Sequence, residues 1–217
     1  MTVDTKQIEE IIMDVLKKQA DNIKTIEKPD IPIGISNRHI HLSRSDLDIC
    51  FGESYELTPI KDLNQPGQYA CKETMTICGP KGAIEKVRVL GPVRENTQVE
   101  ILAKDNFTLG INAPLRISGD ISSSASLTLI GPKGSVQLKE GTIIAKRHIH
   151  MTKDDAKKHG VDDGQIVSIQ IEGERGGIYD NVIIRSNDNS ATECHLDMEE
   201  ANAFGITSDS KLRIIKK

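Results

Sequence analysis

The chain carries the tetrapeptide Arg-His-Ile-His twice, at residues 38–41 and 147–150, and these copies hold four of its six histidines. In a β-strand, residues two apart point to the same face, so each copy presents two imidazole rings side by side. Neutral imidazole is a ligand for zinc, copper, iron and nickel. The two copies therefore predict metal binding, either at one four-histidine site or at two neighbouring sites.

A catalytic zinc usually has three protein ligands and an open position, so each histidine pair needs a further partner. His195, just before a predicted helix start, is the next candidate, whereas His159 resembles an exposed helix end and is excluded. Two three-ligand sites are then one ligand short, and a carboxylate is the natural complement. Glu100, in the alternating segment 97–102, is a candidate; the alternative is a solvent-facing strand edge.

Each histidine pair is expected to end a strand just before a helix. Ser43 and Thr152 follow the two pairs, each with an aspartate three residues later, which resembles a capping box, and Asp197 begins a third such segment. The N-terminus of a helix carries free N–H groups and partial positive charge. The sequence therefore places a favourable environment for an anion beside both histidine pairs.

Short β-rich runs separated by Gly, Pro, Asn and Asp follow one another from Ile31 onwards, with no long helical crossover between most of them. This pattern predicts a mainly β fold of antiparallel sheets closed into barrels or sandwiches. The repeated histidine unit indicates an internal duplication, and a pseudo-twofold arrangement would bring both pairs to a shared interface. The repeated Gly-Pro-Lys-Gly, at 79–82 and 131–134, is more simply interpreted as a hairpin turn.

Residues 1–22 are predicted to form an amphipathic helix, because isoleucine, valine and leucine recur at helical spacing along one face, and residues 23–30 are predicted to be a linker. The helix either caps the main domain or docks on a partner. The net charge is −4, and no basic stretch is interleaved with aromatic residues, so no nucleic-acid partner is expected.

No apolar run approaches the roughly 18 residues of a membrane span, and no signal peptide is apparent, so we expect no membrane partner and a cytoplasmic location. None of the four cysteines lies in a C-x-x-C pair, and we expect them to be reduced.

Four segments together, and in this order, resemble the PduL-type phosphate propanoyltransferases, the phosphotransacylases of bacterial microcompartments. They are Gly34–Ser43, Gln65–Thr74, Gly91–Glu100 and Ala145–Thr152. The resemblance covers about residues 31–215. It implies an acyltransferase that moves a propionyl or acetyl group between coenzyme A and inorganic phosphate, with acyl-CoA, CoA and phosphate as its small-molecule partners.

The resemblance also implies two β-barrel domains related by duplication and capped by short helices. We place them at residues 31–145 and 146–217, with the strand at 31–36 a candidate to pair with the second domain. The helix at 1–22 resembles an encapsulation peptide, which would bind shell or cargo proteins inside a microcompartment for propanediol degradation. A homo-oligomer is expected.

By the same resemblance, two divalent metal ions, expected to be zinc, lie between the domains. One would be held by His39, His41 and Glu100, and the other by His148, His150 and His195. The phosphate-holding arginine of the family matches Arg94. Its coenzyme A contacts match Ser36, Lys61, Arg88, Leu90 and Asn202.

Our mechanistic hypothesis is direct attack on the thioester by a phosphate held by Arg94 and one metal ion. A covalent route through Cys194 is the alternative, although a buried structural cysteine is the simpler interpretation. Two other functions stay open. A dinuclear site could hydrolyse a thioester or phosphoester, or the chain could be a metal-carrying interaction protein without turnover.

Overall fold

The computed structural model describes Met13, residues 30–207 and residues 209–215. The expected helix at 1–22 and linker at 23–30 therefore lie outside the described residues, except for Met13 and Asp30. The chain divides into two compact units, Met1–Asp30 and Ile31–Lys217, and all the elements below belong to the second. Within the described ranges, we find no helix with the length and apolarity that a membrane span requires.

The second unit is mainly β with short helices, as the sequence predicts. The strands are β1 (Ile33–Ser36), β2 (His39–His41), β3 (Pro59–Asp62), β4 (Tyr69–Cys78), β5 (Ala83–Gly91), β6 (Gln98–Glu100), β7 (Leu115–Arg116), β8 (Ala125–Ile130), β9 (Ser135–Ala145), β10 (His148–Met151), β11 (Ile166–Ile171), β12 (Gly177–Ser186), β13 (Glu193–Asp197) and β14 (Leu212–Ile215). The helices are α1 (Arg44–Phe51), α2 (Asp105–Leu109), α3 (Lys153–His159) and α4 (Met198–Phe204).

Six strands close into a barrel in the order β4-β5-β2-β6-β9-β8, because β8 pairs both with β9 and with β4. Strands β3 and β7 extend the sheet beside β4 and β9. Ile40, Val89 and Val99 are fully buried in its hydrophobic core. Since side chains alternate along a strand, the inward position of Ile40 turns both neighbouring histidines to the outer face of the barrel.

The other sheet has the order β1-β13-β10-β12-β11-β14 and forms a half-barrel. Its core contains Ile149, Ile184 and Cys194, each fully buried, so the residues on either side of them face the opposite way. The expected pair of barrels is therefore one closed barrel and one half-barrel, whose edge strands β1 and β14 do not pair with each other.

The strand that precedes each histidine pair belongs to the sheet that contains the other histidine pair. β1 leads directly into β2 of the barrel, but it pairs with β13 of the half-barrel. β9 leads into β10 of the half-barrel, but it pairs with β6 of the barrel. Only Asn37–Arg38 and Lys146–Arg147 connect these strands, so both histidine strands begin where the chain crosses between the sheets. The domain boundary at 145/146 stays a prediction, since neither sheet is one continuous segment.

The predicted helix starts are confirmed. Ser43 and Thr152 cap α1 and α3, and each side-chain oxygen accepts a hydrogen bond from the backbone N–H three residues later, at 3.2 Å and 3.1 Å. Asp197 and Glu200 form a complete capping box at the start of α4. These caps fix the point at which each histidine strand, and the strand β13, turns into a helix.

The two Gly-Pro-Lys-Gly segments are hairpin turns, as expected, between β4 and β5 and between β8 and β9. In both turns the first glycine N–H donates to the carbonyl of the last glycine at 2.9 Å. Each lysine N–H also donates to a carbonyl near the end of a helix, Lys81 to Leu109 at 3.1 Å and Lys133 to Cys50 at 3.0 Å. The repeated turns thus satisfy carbonyls at the ends of α2 and α1.

Candidate active site

The first ligand triad, His39, His41 and Glu100, lies on the outer face of the closed barrel. β2 runs between β5 and β6, and the antiparallel pairing with β6 sets Glu100 directly opposite His39. The Nε2 atom of His39 is 3.5 Å from Oε2 of Glu100, and one ligand atom of each residue lies within 4.8 Å of the others. Glu100 is buried, so a solvent-facing strand edge does not describe its position.

The second ligand triad, His148, His150 and His195, has the same construction in the half-barrel. β10 runs between β12 and β13, and the antiparallel pairing with β13 sets His195 directly opposite His148. The Nε2 atoms of His148 and His150 are 3.2 Å apart. The three ring centroids are mutually separated by 4.8–4.9 Å. The structure therefore brings together each of the two residue sets that the family resemblance implies.

Backbone carbonyl groups orient the first histidine of each pair. Nδ1 of His39 is 2.8 Å from the carbonyl oxygen of Asn37, and Nδ1 of His148 is 2.7 Å from that of Lys146. A carbonyl can only accept a hydrogen bond, so Nδ1 carries the proton and Nε2 of the neutral ring carries a lone pair. A histidine that binds a metal is typically held in this way by its other nitrogen.

Three of the five triad histidines, His41, His148 and His150, are held in the neutral form. Burial is the main cause, and it lowers the pKa of His41 to about 2, that of His148 to about 4 and that of His150 to about 3. Neighbouring imidazoles and arginines lower these pKa values further. Because a metal ion competes with the proton for the same lone pair, a low pKa keeps the ligand available near neutral pH.

Glu100 is buried but ionised. Burial raises the pKa of its carboxyl group, but His39, the Ser118 hydroxyl, His148 and Arg94 outweigh it and lower the pKa below its usual value. His148 belongs to the second ligand triad, and Glu100 in turn raises the pKa of His148. The two triads therefore lie within electrostatic reach of each other.

Both triads fit a divalent metal ion. Three imidazoles, or two imidazoles and a carboxylate, are donor sets of zinc, and each leaves a fourth position open. Two nitrogens at about 2.0–2.1 Å from a tetrahedral ion would be about 3.3 Å apart. The 3.2 Å between Nε2 of His148 and Nε2 of His150 is close to that separation.

Arg94 and Arg185 lie beside the triads. Arg94 follows β5, and its backbone N–H donates to the Leu42 carbonyl at 2.9 Å, next to His41. Arg185 of β12 lies opposite His150. Burial lowers the pKa of Arg94; the charge of Glu100 acts in the opposite direction, and that of Arg185 lowers it further. Within residues 30–207 and 209–215, neither guanidinium forms an ion pair with a carboxylate.

No sequence pattern indicates Arg185, because the repeat does not extend to it. The corresponding strand of the barrel, β5, sets Arg88 opposite the first histidine of its pair, whereas β12 sets Arg185 opposite the second.

The arginine of each Arg-His-Ile-His motif has a structural role. Arg38 forms two hydrogen bonds of 2.8 Å with the buried carboxylate of Asp105 at the start of α2. Arg147 forms an ion pair with Glu200 of α4, and its guanidinium lies over the Tyr179 ring at 4.3 Å. Asp105 and Glu200 each lie five residues after the third ligand of a triad. Each motif arginine thus ties its histidine strand to the helix that follows that ligand.

Three of the proposed coenzyme A contacts lie on the barrel. Lys61 of β3 and Leu90 of β5 both pair with Ala70 of β4, so Lys61, Ala70 and Leu90 form a row across neighbouring strands. Arg88 lies opposite His39. Its guanidinium donates to the carbonyls of Cys71 and Lys72 at 2.9 Å and 2.8 Å.

The other two proposed contacts belong to the half-barrel side of the unit. Ser36 ends β1, where it pairs with Asp197, and Asn202 lies on the exposed side of α4. The proposed coenzyme A contacts are therefore split between the two sheets. Their roles stay predictions.

The structure corrects the interpretation of His159 and bears on the role of Cys194. His159 is buried at the end of α3, so its description as an exposed helix end is wrong, although it belongs to neither triad. Cys194 is fully buried in the half-barrel core, and strand alternation turns it away from His195. Burial raises the pKa of the Cys194 thiol, which favours a structural cysteine over a nucleophile.

Comparison with known proteins shows relatives over most of the chain. The family model described as phosphate propanoyltransferase matches residues 32–207. A phosphate propanoyltransferase of Rhodobacter capsulatus is 55% identical over 186 residues, which are 86% of either chain. One from Thermotoga maritima is 53% identical over 88% of this chain and 91% of its own. One from Clostridioides difficile is 46% identical over 97% of this chain and 100% of its own.

Proposed function

Because the chain belongs to the phosphate propanoyltransferase family of acyltransferases, we propose that it moves a short acyl group, propionyl or acetyl, between coenzyme A and inorganic phosphate. The reaction takes place at the two ligand triads with Arg94. In the direction of acyl phosphate formation, a phosphate oxygen bonds to the acyl carbon and the carbon–sulfur bond breaks. The sulfur leaves with the bonding electrons as the coenzyme A thiolate.

The observation that carries this proposal is that two metal-ligand triads lie beside arginines for which the described part of the chain provides no carboxylate partner. Arg94 and Arg185 are like charges within reach of each other, and each lies beside a triad. Such a pair is stabilised when an anion lies between them. Inorganic phosphate is the anionic substrate of the reaction, and it suits the planar fork of a guanidinium.

The residues of the chain contribute mainly by binding and orientation. Arg94 donates hydrogen bonds to two phosphate oxygens and so orients a third oxygen towards the acyl carbon. Arg185 offsets the remaining negative charge of the phosphate. Holding phosphate and thioester together in the right orientation lowers the activation barrier by at most about 7–11 kcal/mol. The histidines of both triads and Glu100 would hold two divalent cations, for which zinc is our proposal. Bound cations would supply Lewis-acid stabilisation of charge on the thioester oxygen or on the leaving sulfur.

Coenzyme A itself would extend from the triads over the outer face of the barrel. Lys61 is exposed and offers a cation to the phosphate groups of the cofactor, and Leu90 in the same row offers an apolar contact. Arg88 lies between this row and His39. Ser36 and Asn202 would contact the part of the molecule that reaches the half-barrel side.

A thiol-release assay tests the proposal. Acetyl-CoA and propionyl-CoA are each supplied with and without phosphate, before and after removal of divalent cations by a chelator. We expect free thiol to appear only with phosphate, to disappear after chelation and to return on addition of zinc. Thiol release without phosphate would instead identify a hydrolase, and activity that survives complete metal removal would exclude the metal-dependent mechanism.

The cellular setting is a separate part of the proposal. We propose that residues 1–22 act as an encapsulation peptide, that the chain works as a homo-oligomer, and that it belongs to a microcompartment for propanediol degradation. A fusion of residues 1–22 to a fluorescent protein should then enter microcompartments. A fusion that stays dispersed in cells containing such compartments would contradict the encapsulation role.

A further inference from the structure

The residue two positions before each third ligand forms a hydrogen bond with that ligand. Gln98 precedes Glu100, and its Nε2 donates to Oε1 of Glu100 at 2.7 Å. Glu193 precedes His195, and its Oε2 accepts from Nε2 of His195 at 2.7 Å. Both residues are buried. They also occupy equivalent register positions, opposite His41 and His150 respectively.

The amide of Gln98 is fixed in one orientation. Its Oε1 accepts from the backbone N–H of Gly119 at 2.7 Å, and a backbone N–H can only donate. Nε2 must therefore supply the donors, one to Glu100 and one to the Ser118 hydroxyl at 2.9 Å. A glutamate at position 98 would oppose the Glu100 carboxylate with a second negative charge and would provide no proton to share with it.

The carboxylate of Glu193 is fixed by contacts from the barrel. Nδ2 of Asn64, in the loop between β3 and β4, donates to Oε1 of Glu193 at 2.6 Å. Gln65 secures the same loop through hydrogen bonds with the backbone of Ala191, at 3.0 Å and 3.3 Å. Glu193 therefore stays where it can accept the Nε2 proton of His195. The other ring nitrogen of His195 is left with the lone pair that a cation needs.

Gly34 provides the space for this pair. It lies beside His195 in the parallel pairing of β1 with β13. A Cβ atom on Gly34 would lie 2.7 Å from Oε1 of Glu193 and 3.2 Å from Cδ2 of His195. Any larger residue at position 34 would therefore displace the carboxylate.

We infer that Gln98 and Glu193 are the positioning residues of the two triads, and that each supplies the hydrogen-bonding partner its ligand requires. A donor supports the carboxylate ligand, and an acceptor supports the imidazole ligand. The inference rests on the proposed function, because it assumes that the triads hold divalent cations. Each site then has one negative charge. In the first triad the ligand Glu100 carries it, and in the second triad Glu193 carries it and is hydrogen-bonded to the ligand His195.

Metal titration of the full-length protein tests the inference. Zinc affinity is measured by competition with a chromophoric chelator for the wild type, Glu193→Gln and Gln98→Leu, with Glu53→Gln as an exposed control. We expect Glu193→Gln to weaken one of two zinc sites about 10–100-fold and Gln98→Leu to weaken the other, because outer hydrogen bonds of metal ligands typically have effects of this size. The control should match the wild type.

Two further measurements identify the role of Glu193 directly. In the metal-free protein, nitrogen NMR of the imidazole ring should show His195 protonated at Nε2 in the wild type and in a mixture of tautomers in Glu193→Gln. Gly34→Ala keeps the charge of Glu193 but displaces it, and should weaken the same zinc site as Glu193→Gln. It also serves as the test if Glu193→Gln fails to fold.

The outcomes distinguish a failure of the positioning inference from a failure of the proposed metal sites. Two zinc sites in the wild type, with unchanged affinities in Glu193→Gln, Gly34→Ala and Gln98→Leu, would overturn the inference and leave the proposed metal sites intact. A wild type that binds no divalent cation would overturn the metal sites themselves. An unchanged His195 tautomer in Glu193→Gln, together with an unchanged zinc affinity, would exclude Glu193 as the positioning residue.

Discussion

Glu100 of β6 lies directly opposite His39 of β2. The half-barrel repeats this relationship, with His195 of β13 opposite His148 of β10. The third ligand of each triad is therefore set by strand register, even though one is a carboxylate and the other an imidazole. A register shift of one residue would turn the third ligand into the core, so the pairing of these strands is a condition for either site.

The ion pair between Arg38 and Asp105 should be needed for stability. Asp105 is almost fully buried, so Arg38→Ala would leave its charge without its cationic partner and should lower the free energy of unfolding by about 3 kcal/mol. Chemical denaturation measures the effect. In a double-mutant cycle, Asp105→Asn should recover part of the loss, because it removes the unpaired charge. Strictly additive effects of the two substitutions would show that the contact is not energetically coupled.

Cys194→Ala should leave turnover largely unchanged. The side chain belongs to the half-barrel core and faces away from His195, so the expected loss is about 1 kcal/mol of stability from the small cavity. Steady-state thiol release and thermal unfolding would be measured on the same preparation. Loss of turnover in a protein that stays folded would revive the covalent route, and a burst of thiol release in the wild type would point the same way.

The chemistry of the triads could be predicted from local sequence, whereas the contacts that arrange them could not. Two histidines two residues apart in a strand must share a face, and the capping residues after them fix where the strand ends. These are properties of short segments. Local sequence also makes Glu100 and His195 candidates, but their pairing with the first histidines depends on register between distant strands, and only the family resemblance assigns each of them to a triad.

Other features depend on the fold as a whole. The exchange of β1 and β9 between the sheets, and the open edge of the half-barrel, cannot be read from alternation within a strand. Glu193 is supported by Asn64, which lies 129 positions earlier in the chain. A charged segment ending in glycine is typical of an exposed helix end, whereas tertiary packing buries His159.

Asp155 should make stability depend on acidic pH. Hydrogen bonds from Lys158 and Thr192 are the main causes that lower its pKa from 3.8 to about 2. The folded pKa lies below the unfolded value, so the stabilisation is present above about pH 4 and is lost as the pH falls towards 2. Asp155 is partly exposed, and screening by solvent limits the effect to at most about 1 kcal/mol. Denaturation at several pH values should therefore show a shallower acid dependence for Asp155→Asn than for the wild type, and identical slopes would exclude the contribution.

Arg94 should determine the affinity for phosphate. Arg94→Ala removes hydrogen bonds to a charged ligand, each contributing about 1.5–3 kcal/mol, so the KM for phosphate should rise about 10–100-fold. Arg94→Lys keeps the charge but loses the bidentate fork, and should have a smaller effect. Arg213→Ala, which removes an exposed arginine of β14, is the matched control and should leave phosphate kinetics unchanged. If Arg94→Ala behaves like this control while its KM for acyl-CoA is also unchanged, Arg94 does not contact the phosphate, and Arg185 becomes the residue to test in its place.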